Sequence, residues 1–258
     1  MDNRRDWAHC SRVHAPLLSL PDANPSSPRQ NCGLGGYCTP IESSLARPEH
    51  DALVCSHAHV KRGETLYRLG DRLSSIYPIK AGCFRVSAIT ERGDHQVIGF
   101  YLRGEILGLD AVATQSHTST ATALEDSEVC IVPFEHFERL CAKSGPLQQH
   151  FHKMMSREIS VDRNMMLLLG SMNAEERVVS FLLSLSARLV ARGYSPVDFN
   201  LRMSREDIGS HLGLKLETVS RTLSSLHEQR LLDVDGRHFR VLDVPGLKRL
   251  VGEPESAR

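Results

Sequence analysis

The sequence predicts an α+β fold in which a β-sandwich or barrel is followed by a long helix and a helix-turn-helix. Short β-rich runs separated by glycine turns fill residues 48–141. Apolar side chains then recur at helical spacing over residues 146–192, and two short helices with a hairpin follow over residues 201–242. At 258 residues, the chain is long enough for two domains that each bury a core.

The N-terminal segment, residues 1–47, carries few apolar side chains and includes the stretch SLPDANPSSPRQ, which is typical of loop. It shows no apolar segment of the kind found in secretory signals, and no apolar run in the chain is long enough to span a membrane. We therefore expect a cytoplasmic protein with no membrane partner. Its seven cysteines are expected to be reduced thiols or metal ligands rather than disulfides.

The β-rich region contains the strand-like runs SIYPIKAG, CFRVSAIT, HQVIGFYL and SEVCIVP. Turn signals separate these runs, at Gly63, Gly70, Gly82, Gly93 and Gly104. Closely spaced short strands are typical of a β-sandwich or barrel, and we assign residues 48–145 to this domain.

A long amphipathic helix is predicted over residues 146–170. Pro146 stands where the first turn of a helix tolerates proline. The apolar stripe consists of Leu147, Phe151, Met154, Met155, Ile159, Met166 and Leu169. It runs for about six turns, which is long for a helix that packs only on its own domain.

Two helix starts are marked by capping sequences. Asn173 is followed three residues later by Glu176, and Gly193 marks the end of that helix. Ser204 and Asp207 have the same spacing at the start of a shorter helix. Both patterns predict an N-terminus in which side chains satisfy the first backbone N–H groups.

The C-terminal region, residues 171–258, ends in a pattern typical of a winged helix-turn-helix. LGL at 212–214 supplies a turn, and the next helix buries Val219, Leu223 and Leu226. The segment LLDVDGRHFRVLD alternates about Asp235-Gly236, which is a hairpin signal. In a helix-turn-helix, the second helix enters the DNA major groove by its N-terminal residues.

Glu217, Ser220 and Arg221 share the exposed face at the start of that second helix. Arginine can donate two hydrogen bonds to guanine, glutamate can accept one from cytosine, and serine can do either. The alternative interpretation is a solvated surface ion pair between Glu217 and Arg221. The helix-turn-helix context favours base recognition.

Four segments of the chain resemble the Fnr (fumarate and nitrate reduction regulator) family of the cyclic-AMP receptor protein (Crp/Fnr) superfamily. They are ETVSR, NAEERVVSFLLSLSARLVARGYSP, GDHQVIGFYLRGEILGLDA and VCIVPFE, and the resemblance covers about residues 29–250. It implies an N-terminal β-roll (a cupin-like jelly roll) as sensory domain, a long dimerisation helix and a C-terminal winged helix-turn-helix.

The same resemblance implies an oxygen-responsive transcription regulator. Such a homodimer would bind double-stranded DNA at TTGAT-N4-ATCAA-type palindromes and act on RNA polymerase, and the turn at Gly93-Asp94 resembles one activating loop. On the long helix, it implies that Asp162 faces its symmetry mate and that Ile159 packs in the dimer. The alternatives are a solvated surface charge for Asp162 and a place in the chain's own core for Ile159.

The family holds an oxygen-labile [4Fe–4S] cluster with four cysteines, and three positions match here. Cys32 and Cys38 match two N-terminal ligands, and Cys130 matches the distant ligand in the β-roll. Glycines in the stretch NCGLGGYC would let the backbone wrap closely around a cluster.

The first ligand position departs from the family pattern, because Arg29 stands there. The dipeptide HC at 9–10 resembles the start of the motif, which implies an insertion of about residues 13–30 and gives the fourth ligand as Cys10. Cys55, a non-cysteine ligand and the absence of a cluster remain alternatives. Cys55, Cys83 and Cys141 lie in apolar runs and are otherwise expected in the core.

Other effectors and functions are less well supported by the sequence. GEILG at 104–108 resembles part of the superfamily's phosphate-binding cassette, but SHTSTATAL at 116–124 lacks the required cation, so no cyclic nucleotide is expected. The sequence contains no Walker loop, no G-x-G-x-x-G after a strand, no H-E-x-x-H and no G-x-S-x-G. HAH at 57–59 has no partner motif for metal binding. A redox- or nitric-oxide-responsive regulator without a stable cluster remains the alternative to oxygen sensing, and an enzyme the remote one.

Overall fold

The structure is a computed structural model, and it describes residue 34 and residues 38–40, 53–91 and 93–252. The predictions made for Cys10 and Cys32 lie outside these residues. Among the described residues, no helix combines the length and the apolar composition that crossing a bilayer requires.

Nine strands form the predicted β-roll as two facing sheets. The strands are β1 (Cys38–Pro40), β2 (Leu53–Val60), β3 (Thr65–Tyr67), β4 (Ser75–Ala81), β5 (Cys83–Ile89), β6 (His95–Leu102), β7 (Ile106–Leu107), β8 (Thr120–Ala123) and β9 (Ser127–Pro133). One sheet has the order β1-β2-β9-β4-β7 and the other β3-β8-β5-β6. Their inner faces bury Ile79, Phe84, Val86, Leu107 and Val129 between them.

The glycine turns of the roll are confirmed by the backbone. Gly63, Gly70, Gly82, Gly93 and Gly104 all have positive φ. At Gly82, between β4 and β5, an added Cβ would lie 2.1 Å from Ser127 Oγ, so this turn also needs glycine for space.

Three helices follow the roll: α1 (Phe134–Lys143), α2 (Gly145–Ser171) and α3 (Ala174–Val190). The sequence predicted α2 and α3, including the Asn173–Glu176 capping box, but it did not predict α1. Helix α1 and the start of α2 pack on the outer face of the five-stranded sheet. The apolar group buried there, called the outer cluster below, includes Leu34, Cys55, Cys130, Val132, Phe134, Phe137, Leu140 and Leu147.

The C-terminal unit is the predicted winged helix-turn-helix. It contains β10 (Asp198–Asn200), α4 (Arg205–Leu212), α5 (Leu216–Glu228), β11 (Leu232–Asp235), β12 (His238–Val241) and α6 (Val244–Leu250). The Ser204–Asp207 capping box starts α4, and β10, β12 and β11 form the wing. Helix α5 buries Val219, Leu223 and Leu226, as predicted.

One apolar core joins the roll to the C-terminal unit. It runs from Cys83 and Phe100 in the roll through Leu182 in α3 to Leu212 and Leu223 in the two short helices. The roll and the C-terminal unit therefore pack directly against each other in this conformation.

Candidate metal centre and nucleic-acid interface

Three neighbouring strands each carry a cysteine. Cys38 lies in β1, Cys55 in β2 and Cys130 in β9, and the sheet order is β1-β2-β9. Strand β1 pairs in parallel with β2, which places Pro40 beside Cys55. Strand β9 pairs antiparallel with β2, which places Cys130 beside His57. The sheet therefore brings the strands of a predicted N-terminal ligand and of the predicted distant ligand to one edge, with Cys55 between them.

The side chains of Cys55, His57 and Cys130 form a compact group of possible metal ligands. One ligand atom from each residue lies within 4.8 Å of the other two. Cys55 is 2% and Cys130 3% exposed, whereas His57 reaches solvent. Thiolates and imidazole suit soft and borderline metals such as iron and zinc. The sequence prediction for Cys130 is compatible with this placement, but the sequence analysis did not bring His57 into the site.

An ion pair lies at the exposed side of this site. Lys80 Nζ donates to Glu128 Oε1 at 2.7 Å, and this hydrogen bond, opposed by partial burial, holds the pKa of Glu128 below its ordinary value. His57 Nδ1 is 3.2 Å from the same carboxylate oxygen and 3.4 Å from Lys80 Nζ. Lys80 is therefore paired with a carboxylate of the chain, next to the exposed member of the ligand group, His57.

One residue of the glycine-rich N-terminal stretch lies at the same place. Leu34, which lies between Cys32 and Cys38 in the sequence, is fully buried in the outer cluster. Cys55 and Cys130 belong to that cluster as well. The one described side chain of this stretch therefore lies in the apolar group that surrounds the two strand cysteines.

The other two described cysteines lie in apolar surroundings, as expected. Cys83 is buried in the core between the domains, and burial raises the pKa of its thiol to about 12. Cys141 is half-buried against the outer cluster, and burial raises its pKa too. Neither thiol belongs to the group of adjacent ligand atoms formed by Cys55, His57 and Cys130.

The GEILG segment uses its carboxylate to bind another element of the same chain. Glu105 accepts hydrogen bonds from Arg188 and Arg192 of α3, with an N–O distance of 2.6 Å to each. Burial alone would raise the pKa of Glu105, but the two guanidinium groups outweigh it and hold that pKa below its ordinary value. The sequence analysis compared this segment with a phosphate-binding cassette and did not predict that Glu105 links the roll to α3.

The stretch 116–124, which contains no lysine or arginine, also binds a carboxylate of the same chain. The Asp110 carboxylate lies 3.1 Å from His117 Nδ1 and accepts hydrogen bonds from Thr118 N at 2.9 Å and Ser119 Oγ at 2.8 Å. The His117 ring stacks on Tyr67 with their centroids 3.8 Å apart. Donors of this stretch are therefore used by a carboxylate of the chain itself.

Helix α2 exposes apolar side chains in its C-terminal half. Ile159 is 48%, Met166 66% and Leu167 64% exposed. Ile159 is therefore not part of the core of its own chain, and Asp162 is exposed beside it. A run of exposed apolar side chains of this kind is typical of a protein–protein contact.

Glu158 lies one helical turn before Asp162 and contacts the roll. Tyr101 Oη donates a hydrogen bond to Glu158 Oε2 at 3.3 Å. Burial, followed by the negative charge of Glu105, raises the pKa of Glu158 to about 7. This carboxyl group therefore titrates near neutral pH at the contact between α2 and the roll.

Arg177 connects the end of α2 to the helix-turn-helix. Its guanidinium donates to the carbonyl oxygens of Leu169 at 2.8 Å, Met172 at 3.0 Å and Leu212 at 3.1 Å. Carbonyls at helix C-termini lack partners within their helix, so one cation serves both α2 and α4. The sequence analysis missed this contact, because it depends on how the helices pack.

The predicted base-reading residues lie at the start of α5. Glu217 and Arg221 are exposed and Ser220 is half-buried. Within the described residues, Glu217 and Arg221 form no ion pair with each other, and base recognition by these residues stays a prediction. Glycine at 209 permits the tight turn before this helix, since an added Cβ would lie 2.7 Å from the oxygen of Leu214.

Comparisons with known proteins agree with this architecture. Residues 57–144 match the cyclic nucleotide-binding domain family, and residues 176–250 match the Crp-like helix-turn-helix domain family. The structure is similar to that of FixK2 from Bradyrhizobium japonicum, with a TM-score of 0.71 and 32% identity over 80% of this chain and 100% of that one.

Curated relatives match over most of their length. The transcriptional regulatory protein btr of Bordetella pertussis is 43% identical over 224 residues, which cover 86% of this chain and 93% of that protein. The fumarate and nitrate reduction regulatory protein of Escherichia coli is 39% identical over 86% of this chain and 90% of its own length. The chain therefore belongs to the Crp/Fnr family of transcriptional regulators, with a β-roll joined through a long helix to a helix-turn-helix DNA-binding domain.

Proposed function

We propose that the protein is an oxygen-responsive transcription regulator in which an iron–sulfur cluster promotes dimerisation and DNA binding. The observation that carries this proposal is the position of Cys130. Its thiol lies beside a second cysteine thiol in the outer cluster, and that cluster also holds Leu34 and the start of α2 through Leu147. A ligand held there would contact both the N-terminal loop and the helix that is predicted to dimerise.

Cys32, Cys38 and Cys130 are the proposed ligands that match the family, and Cys10 is the sequence-based candidate for the fourth. When bound, a [4Fe–4S] cluster supplies the reactivity with oxygen that makes the switch possible. The donor set fits such a group, because the described thiol of Cys130 is buried and adjacent to a second thiol.

The outer cluster provides the contact between sensing and dimerisation. Fixing the loop around Leu34 would order the packing of Phe137 and Leu147 in the same cluster, and so the position of the start of α2. The exposed C-terminal half of α2, with Ile159 and Asp162, would then meet its symmetry mate. A coupling of about 1–3 kcal/mol is sufficient for such a switch.

In the dimer, the two α5 helices would enter successive major grooves of a TTGAT-N4-ATCAA-type site. Arg221 would donate to a guanine, Glu217 would accept from the paired cytosine, and Ser220 would contact the same pair. The regulator would act in the cytoplasm on RNA polymerase, through surfaces that include the Gly93-Asp94 turn, and without catalytic turnover. It would activate or repress genes of anaerobic metabolism.

Two arrangements in the roll support an effector other than a cyclic nucleotide. The carboxylate of Glu105 is bound by Arg188 and Arg192, and the donors of residues 116–124 are directed at Asp110. The phosphate of a cyclic nucleotide would lie near the negative charge of Asp110. The 116–124 stretch has no lysine or arginine to pair with that phosphate.

A second candidate function is a redox- or nitric-oxide-responsive regulator of the same family without a stable cluster. Arg29 favours it, because this arginine stands where the family has its first cysteine ligand.

Anaerobic purification with iron and sulfide counting separates the two candidates. We expect about four irons per chain in the coloured wild-type protein, and loss of colour, dimer and DNA binding on exposure to air. Cys130→Ala should lose the iron, while Cys83→Ala, which removes a buried thiol from the other core, should keep it. Colourless wild-type protein that still binds its DNA site would favour the second candidate.

A further inference from the structure

We propose that Cys55 is the fourth cysteine ligand of the cluster, in addition to Cys32, Cys38 and Cys130. The inference rests on the proposed function and fills the position at which Arg29 replaces the family's first cysteine. It names a ligand different from Cys10, the sequence-based candidate.

The first support is distance. The Sγ atoms of Cys55 and Cys130 lie within 4.8 Å of each other and of a ligand nitrogen of His57. The two cysteines are far apart in sequence, and the antiparallel pairing of β2 with β9 places them together. A ligand pair that the sheet already holds in place loses little conformational entropy when it binds a metal group.

The second support is strand order. Strand β2 lies between β1, which contains Cys38, and β9, which contains Cys130. In the parallel register of β1 with β2, Cys55 is opposite Pro40, two residues after Cys38. Any group held by both Cys38 and Cys130 must therefore pass over or beside the strand that carries Cys55.

The third support is the contrast between Cys55 and Cys141, which packs against the same outer cluster of apolar side chains. Cys141 of α1 packs against the outer cluster, but it is not in the group of adjacent ligand atoms. A small apolar side chain would fill either position equally well if packing were the only requirement. What is particular to Cys55 is a second thiol and an imidazole within 4.8 Å.

Chain connectivity also favours Cys55 over Cys10. For Cys10 to bind, the chain from residue 11 to residue 31 must close as a loop, which costs conformational entropy. Cys55 is fixed by β2 before any ligand arrives. His57 is a weaker candidate, because thiolates are the usual ligands of iron–sulfur clusters.

The test counts iron and sulfide in anaerobically purified single variants of the full chain. We expect Cys55→Ala to fall from about four irons per chain to fewer than one, as Cys130→Ala does. Cys10→Ala, His57→Ala and the matched control Cys141→Ala should keep the full count. Full iron retention in Cys55→Ala, or loss of iron in Cys10→Ala or His57→Ala instead, would overturn the inference and leave the proposed function standing.

A second variant separates ligation from folding. Cys55→Ala combined with Arg29→Cys restores a cysteine at the family's position, and we expect it to regain about four irons and the visible absorption. If the iron is not regained and Cys55→Ala also lowers the free energy of unfolding well below that of the Cys141→Ala control, Cys55 is required for packing and not for ligation. Wild-type protein without iron or sulfide would instead overturn the proposed function, and the assignment of Cys55 with it.

Discussion

The two halves of helix α2 face different environments. In the N-terminal half, Leu147 is 2% exposed and packs in the outer cluster, and Phe151 and Met154 are partly buried against it. In the C-terminal half, Met166 and Leu167 are about two-thirds exposed, whereas the next residue, Leu168, is buried. One apolar stripe in the sequence is therefore buried on the roll at one end and exposed to solvent at the other.

A single helix therefore joins the outer cluster at one end to an exposed apolar surface at the other. A change in the outer cluster acts on one end of α2, and the exposed side chains lie further along the same helix. Arg177 then fixes the far end of α2 to α4 through the carbonyl oxygens of Leu169 and Leu212. The following predictions test this division, from the largest expected effect to the smallest.

Truncating a leucine in each half of α2 should affect different properties of the protein. Leu147→Ala removes a buried side chain from the outer cluster, so the free energy of unfolding should fall by about 2–5 kcal/mol. Leu167→Ala is the matched control and should change it by less than about 0.5 kcal/mol, while weakening the dimer. Chemical denaturation and sedimentation measure the two effects, and equal destabilisation by both variants would contradict the division.

Loss of the contact at the end of α2 should come next in size. Arg177→Ala removes a cation that donates to three carbonyl oxygens, so we expect about 1.5–3 kcal/mol of lost stability and weaker DNA binding by the intact dimer. Arg163→Ala is the control, because Arg163 is exposed on the same helix. If the two variants bind DNA equally well, Arg177 does not couple α2 to the helix-turn-helix.

The next prediction concerns the exposed start of α5, which is proposed to read DNA bases. Arg221→Ala should cost about 1–3 kcal/mol per half-site and relax discrimination at the guanine. Glu217→Ala should mainly reduce preference for the paired cytosine, because a carboxylate near DNA also repels phosphates. Competition binding with sites altered at that one base pair measures both, and uniform weakening across all sites for Arg221→Ala would mean that α5 is oriented differently.

The sequence analysis predicted what depends on neighbours in the chain. The capping boxes at Asn173 and Ser204 are confirmed, because a cap involves residues three apart. The buried positions of α5 are confirmed too, because the helical period specifies them.

What the sequence analysis missed depends on packing between distant segments. The sequence analysis assigned the residues of α1 to the β-rich domain, because the apolar positions Phe134, Phe137 and Leu140 follow directly on a strand. The contact of Glu105 with Arg188 and the group around Cys55 both require knowledge of the strand order. The roles of Cys10 and Cys32 stay predictions, since these residues lie outside the part of the chain that the structure describes.

The contact of α2 with the roll should make stability depend on pH. Glu158 has a pKa of about 7 in the folded chain, above its ordinary value of 4.5. Between these two values the folded state binds more protons than the unfolded state, so the contribution of Glu158 to stability is present at acid pH and decreases as the pH rises towards 7. Glu158→Gln should flatten this dependence in denaturation at pH 5 and pH 7. An unchanged pH profile would mean that Glu158 is not titrating at this contact.

The smallest expected effect concerns the charge beside the exposed stripe. Asp162 is exposed next to Ile159, and in a symmetric dimer it would approach its own copy, so each protomer would add a negative charge to the contact. Asp162→Asn keeps the size of the side chain and removes the charge, and association in air should become more favourable by on the order of 1 kcal/mol. The effect should shrink at high salt, because exposed charges are screened. Asp94→Asn, a similarly exposed carboxylate on the roll, should leave the monomer fraction unchanged. If sedimentation finds the same monomer fraction in Asp162→Asn and in the wild type at low salt, then Asp162 does not face its copy, and the dimer uses another face of α2.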